Sequence, residues 1–205
     1  MAEIIKIDPA EKYFSLTWQL SVRCNYDCMY CPAAWHNNTS PHHSLETLKQ
    51  TWVSVLSKTN RSAYKISFTG GEPTSSKSFL PFLKWLRTEY TNIKFKILLT
   101  TNGSAPYKYY QKLYNYVDNI SFSTHSEHID ECKFFDKIIQ LHKTIDKTKH
   151  LHVNIMNETW NQSRILEYQK ILQQHGISNI INEIDYTLQT RSVPVFKGKL
   201  NLDIQ

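Results

Sequence analysis

No stretch of this 205-residue sequence approaches the roughly 20 consecutive apolar residues of a membrane-spanning helix. Residues 1–6 lack a basic segment leading into an apolar run, so no secretory signal is expected and the chain reads as cytoplasmic. With only five glycines, no Gly-rich linker interrupts the sequence, and composition does not shift along it. One domain over 1–205 is therefore expected, with 187–205 as its tail. The net charge of +6 comes from scattered lysines rather than a basic block. That describes a solvated surface, although a basic face for a phosphorylated or nucleic-acid ligand stays open. Cysteine is equally scarce, at four residues: Cys24, Cys28 and Cys31 lie close together and Cys132 stands far away. Disulfide pairing accounts poorly for a clustered trio with an odd thiol left over, whereas ligation of a metal or cluster accounts for it well. Cys132, at core-type spacing on a helix, is expected to be a small buried hydrophobe.

What is abundant is rhythm. Segments rich in β-branched and aromatic residues lie at 14–21, 65–69, 94–101, 119–124, 151–155 and 179–185. Helical periodicity fills the gaps: Leu45, Leu48, Trp52 and Val55; Phe79, Leu83, Leu86 and Tyr90; Cys132, Phe135, Ile139 and His142; Ile165, Tyr168 and Leu172. Ser44 fits a helix start and Gly176 a helix end. After a longer first unit, strand starts recur every 25 to 32 residues. This is the pattern of repeated strand–helix units around a parallel sheet. Six units predict an α/β fold, a partial (β/α)6 TIM-like barrel with the helices outside.

In such barrels, working residues sit in the loops that follow the strands. The conspicuous motifs obey this. The cysteines follow the first strand, and Gly70-Gly71-Glu72-Pro73 follows the second. Thr101-Asn102-Gly103 closes the third, Ser123-Thr124-His125 the fourth, and Asn154 to Asn157 the fifth.

Residues 24 to 31 read Cys-Asn-Tyr-Asp-Cys-Met-Tyr-Cys, a C-x3-C-x2-C pattern. Three thiolates on one tight loop can hold three irons of a cubane cluster and leave the fourth iron open. Together with Gly70-Gly71-Glu72-Pro73, this resembles the radical S-adenosylmethionine (SAM) superfamily. The resemblance implies a [4Fe–4S] cluster on Cys24, Cys28 and Cys31, whose open iron chelates SAM and whose electron splits it into methionine and a 5′-deoxyadenosyl radical. It also implies a reductant such as a flavodoxin or ferredoxin. By the same resemblance Gly70, Gly71, Glu72 and Pro73 meet the SAM amino group, with Glu72 orienting SAM rather than acting as a base. Tyr30 lies beside the adenine, and Thr101, Asn102, Ser123, His125 and Asn154 touch the ribose or methionine portions. The glycine-rich adenine-binding pattern of many members is absent around Asn179 to Glu183.

Plainer readings exist for each motif. The three cysteines could hold structural zinc with His36 or His42, which would make the chain a basic binding module for nucleic acid. Gly70 to Pro73 and Asn102-Gly103 could be ordinary turns. Among relatives, compact size suggests carboxydeazaguanine synthases or glycyl-radical-activating enzymes, although the Ser-Thr-His stretch differs from both. The substrate, a small metabolite or a peptide, is expected to meet the loop 35–43, the turn 157–161 and the tail 187–205.

Overall fold

The computed structural model describes residues 3–9, 12–32 and 34–186, with side chains from residue 12 onward. Among the described residues, seven strands form one sheet in chain order: β1 (Glu3–Pro9), β2 (Phe14–Gln19), β3 (Ala63–Thr69), β4 (Lys94–Thr101), β5 (Asn119–Ser123), β6 (His150–Asn157) and β7 (Ser178–Glu183). Strands β2 to β7 run parallel, each hydrogen-bonded to the next. Helices α1 (Leu45–Thr59), α2 (Phe79–Glu89), α3 (Tyr107–Leu113), α4 (Glu131–Thr144) and α5 (Gln162–Gln174) fill the crossovers. Six parallel strands alternating with helices make the partial (β/α)6 barrel that the strand rhythm predicts. Strand β1 is additional: it pairs antiparallel to β2, with Glu3 opposite Gln19 and Pro9 opposite Phe14.

Side chains alternate across each strand, and the two faces of this sheet differ sharply. Leu16 and Trp18, Tyr64, Ile66 and Phe68, Ile97 and Leu99, Ile120 and Phe122, and Val153 and Ile155 are all buried in one continuous core. They meet the apolar stripes of the helices, such as Leu48, Trp52 and Val55 of α1 and Phe79, Phe82, Leu83 and Leu86 of α2. Trp18 meets Phe82 edge-on at 5.4 Å, and Trp52 meets Tyr64 at 5.0 Å. Truncating a fully buried aromatic of this kind costs about 3–5 kcal/mol. The alternate positions carry Thr17 and Gln19 beside Ser67 and Thr69, then Ser121 and Ser123 beside His152 and Asn154. The inner face is thus polar.

Helix ends follow local chemistry. The Ser44 hydroxyl accepts from the Thr47 amide at the start of α1, as expected. Gly176 adopts φ +65 after α5, and the Ile177 amide closes back onto Leu172 O at 2.9 Å. On α4 the buried face is Phe134, Phe135, Ile138 and Leu141, and Cys132 is exposed. The expectation that Cys132 packs in the core is therefore corrected: two phenylalanines dictate the face and turn Cys132 outward.

Candidate functional site

The loops after β2 to β6 meet on one rim, and the closest approach is between the first two. Gly70, at φ +133, leaves its hydrogen facing the chain before the cysteines, where a β-carbon would lie 2.4 Å from Ser21 O. At Gly71 a β-carbon would lie 2.1 Å from Arg23 O and 2.8 Å from Cys24 N. The space exists only because both residues are glycine. Backbone hydrogen bonds from Gly71 N to Ser21 O and from Glu72 N to Arg23 O, each 2.8 Å, lock the contact.

Glu72 is 1 % exposed and fully committed within the chain. Its Oε1 accepts from Thr74 N (2.8 Å), Thr74 Oγ1 (2.6 Å) and Thr101 Oγ1 (2.8 Å), and its Oε2 accepts from Asn102 N (2.7 Å). Burial raises its pKa while these four donors pull it back. The carboxylate therefore ties the turn after β3 to the end of β4. Asn102 then reaches across, donating Nδ2 to Asn25 Oδ1 at 3.0 Å and approaching Cys24 Sγ at 3.9 Å.

The cysteine loop is pinned at both ends. Cys24 N donates to Asn37 O at 2.7 Å, and Cys31 N donates to Cys28 O at 3.1 Å. His36 is buried, with Nδ1 3.1 Å from Pro32 O and Nε2 3.3 Å from Asp27 Oδ1. His42 Nε2 lies 3.3 Å from Ser75 Oγ. Both histidines thus have partners away from the thiols.

The stretch after β5 embraces this loop. Glu127 accepts from Met29 N at 3.1 Å, and His128 Nε2 accepts from Asp27 N at 3.3 Å. His125 Nδ1 meets the Tyr30 hydroxyl and lies 3.5 Å from Cys28 Sγ. Burial lowers the His125 pKa to about 4, so its ring is neutral at pH 7. Tyr30 is 8 % exposed, stacked 5.9 Å from His125 and tilted against Trp160 at 6.2 Å. The turn 157–161, expected to meet substrate, instead buries Glu158 and Asn161 and presses Trp160 onto the cysteine loop. Ser123 is buried and Asn154 half-buried, and they touch each other at 3.4 Å on the inner face. Residues 187–205 lie outside those described.

Glu127, His128, Glu158 and Asn25 were missed by sequence reasoning. Glu127 and His128 continue the Ser-Thr-His string, and Glu158 directly follows a strand. Position on the rim was the available signal.

A cavity of about 530 Å³ opens beside Cys24, bordered by Arg23, Asn25, His42, His43, Ser75 and Lys77 among others, with no acidic residue in its wall. Burial raises the Cys24 thiol, pushes Cys31 up to about 11 and raises Cys28 further. As thiols the trio is neutral, and a cationic centre supplies what is needed to hold thiolates. N–H groups already face the sulfurs: Tyr26 N is 3.4 Å from Cys24 Sγ. Among the described residues no three His, Cys, Asp or Glu side chains are gathered around a single ion. This donor set suits an iron–sulfur cluster, in which each thiolate meets a different iron.

Comparison with known proteins agrees. The family model of the radical SAM superfamily matches residues 18–188. GTP 3',8-cyclase of Pasteurella multocida is 37 % identical over 92 residues, which is 45 % of this chain and 27 % of that protein. GTP 3',8-cyclase of Thermodesulfovibrio yellowstonii is 33 % identical over 114 residues, 55 % of this chain and 34 % of that protein. The chain thus spans about a third or less of these curated relatives. Native anSMEcpe with bound AdoMet shares the fold at a TM-score of 0.60 and 18 % identity, covering 80 % of this chain and 50 % of that one. The zinc-module reading gives way to this match. No described helix is long and apolar enough to cross a membrane. The chain belongs to the radical SAM superfamily, whose enzymes work with a [4Fe–4S] cluster and AdoMet.

Proposed function

We propose that this enzyme cleaves AdoMet reductively and uses the product to take a hydrogen atom from a small anionic substrate. The observation that carries the reading is the wedge of Gly71 against Arg23 and Cys24, which sets the cysteine loop and the Gly70 to Pro73 turn at one point of the rim. When bound, the cluster and AdoMet supply the electron transfer and the 5′-deoxyadenosyl radical. Cys24, Cys28 and Cys31 hold the cluster. The backbone of Gly70 and Gly71 offers the AdoMet amino group its acceptors at close range. Glu72 fixes that backbone by gripping Thr74, Thr101 and Asn102. Thr101 and Asn102 keep the neighbouring wall in place, while Ser123, His125 and Asn154 line the next sector of the rim. Tyr30 and Trp160 close the rear of the cysteine loop against water.

Two observations favour a small phosphorylated molecule over a peptide. The cavity beside Cys24 has a volume usual for a metabolite, with Arg23 and Lys77 in its wall. The curated relatives are named for chemistry on GTP. A reductant, an acidic flavodoxin or ferredoxin, supplies the electron. The test is stimulation of AdoMet cleavage in reconstituted protein by purine nucleoside triphosphates, compared with peptides. Stimulation by peptides alone reverses the substrate assignment.

A further inference from the structure

The Asn102 side chain, 5 % exposed, is oriented by a neighbour that has no choice of role. Ser104 N lies 2.9 Å from its Oδ1, and a backbone N–H can only donate, so the atom it faces is the amide oxygen. The Nδ2 group therefore points the other way, towards the cysteine loop, and it carries two hydrogens. One goes to Asn25 Oδ1 at 3.0 Å, and the second is left for Cys24 Sγ, 3.9 Å away. A sulfur bound to iron is a thiolate and can only accept. Tyr26 N donates to the same sulfur at 3.4 Å.

We propose that Asn102 is a positioning residue of the cluster site, aiming its second Nδ2–H at Cys24 Sγ and so raising the reduction potential of the cluster. The inference rests on Cys24 being a cluster ligand, as the proposed function has it. Reduction adds one electron and one negative charge to the cluster. A donor hydrogen bond draws charge from the thiolate and stabilises that more negative state; such bonds are among the factors that set cluster potentials. Burial of Asn102 strengthens the effect, because little water competes for the sulfur on this side. The loop that presents Asn102 is fixed at three points. Glu72 Oε2 accepts from Asn102 N at 2.7 Å, and Thr101 Oγ1 accepts from Gly103 N at 3.2 Å. From α4, Lys137 Nζ donates to Gly103 O and, at 3.1 Å, to Ala105 O. The amide is thus held in place before any cluster arrives.

Two measurements test the proposal, both on reconstituted protein without AdoMet. Redox titration followed by electron paramagnetic resonance reads the potential. Asn102→Leu keeps the size of the side chain and removes its N–H donors. At a fixed poise its ratio of reduced to oxidised cluster should fall about threefold, or about 28 mV for one electron on a scale where tenfold is about 59 mV. The second measurement uses wild type whose asparagine side chains alone carry isotopically labelled nitrogen. Pulsed electron paramagnetic resonance of the reduced cluster should show a coupling to that label, passed through the N–H···S contact, which Asn102→Leu loses. An unchanged potential in Asn102→Leu at full iron content, or a wild-type cluster without the coupling, overturns this proposal and leaves the function standing. Failure of the wild type to take up a cluster overturns both. If Asn102→Leu itself holds no iron, the coupling in wild type decides.

Discussion

Gly71 stands so close to Arg23 that a single added carbon would meet the Arg23 carbonyl oxygen at 2.1 Å. The two loops that carry the family motifs are therefore in backbone contact. Gly71→Ala must push the segment before Cys24 away, at an overpacking cost of about 1–3 kcal/mol. The expected outcome is a folded protein, by circular dichroism, that takes up less than half of the wild-type iron. Gly176→Ala is the control. It has φ +65 but nothing within 4 Å of the added carbon, so it should lose about 1–2 kcal/mol of stability and keep its iron.

Glu72 is expected to matter for AdoMet more than for iron. Glu72→Ala leaves the Thr74, Thr101 and Asn102 donors buried without their acceptor, and Asn102 no longer has its anchor beside Cys24. AdoMet affinity measured by calorimetry on reconstituted protein should fall at least about tenfold, equivalent to about 1.4 kcal/mol. Iron content should stay near that of the wild type. Undiminished affinity would contradict the assigned role.

The cysteines should divide cleanly. Replacing Cys24, Cys28 or Cys31 by Ala should strip the protein of iron after anaerobic reconstitution, whereas Cys132→Ala, on the exposed side of α4, should retain about four irons per chain. Full iron in any of the first three variants would remove that residue from the ligand set.

Glu158 should leave a mark on stability against pH. Burial pushes its carboxyl up to about 7 from 4.5. The folded chain therefore holds this proton more tightly than the unfolded chain. The stabilisation is fully present below about pH 4.5, is lost as pH rises to about 7, and stays constant above; linkage puts the loss near 3 kcal/mol. Glu158→Gln has no such group, so its denaturation midpoint should fall less over that window than that of the wild type. Parallel curves for the two proteins would contradict the shift.

The strand rhythm was legible because each parallel strand is buried on its helix side and carries a dense aliphatic and aromatic signal. Strand β1 gave no such signal, since it lies antiparallel at the edge with an irregular register between Ile4 and Lys6. Helix α3 is short, with only Tyr110 and Leu113 buried, and one apolar pair is not a period. On α4 the spacing of Cys132, Phe135, Ile139 and His142 is helical, but it is rotated by one residue from the face that packs. The rim motifs were readable because each is contiguous in sequence. His125 was harder to interpret, because its partners Tyr30 and Cys28 lie nearly a hundred residues away in the chain, separated by 95 and 97 positions. Tyr30 in particular is closed in by His125 and Trp160, where adenine contact was expected of it.

The most direct measurement is product analysis after anaerobic reconstitution with iron and sulfide, addition of a strong reductant, and incubation with AdoMet. The account predicts 5′-deoxyadenosine and methionine in equal amounts, formed slowly without substrate, and absent from the Cys28→Ala variant. A reconstituted wild type with a full cluster that yields no 5′-deoxyadenosine, or that only transfers the AdoMet methyl group, would contradict it.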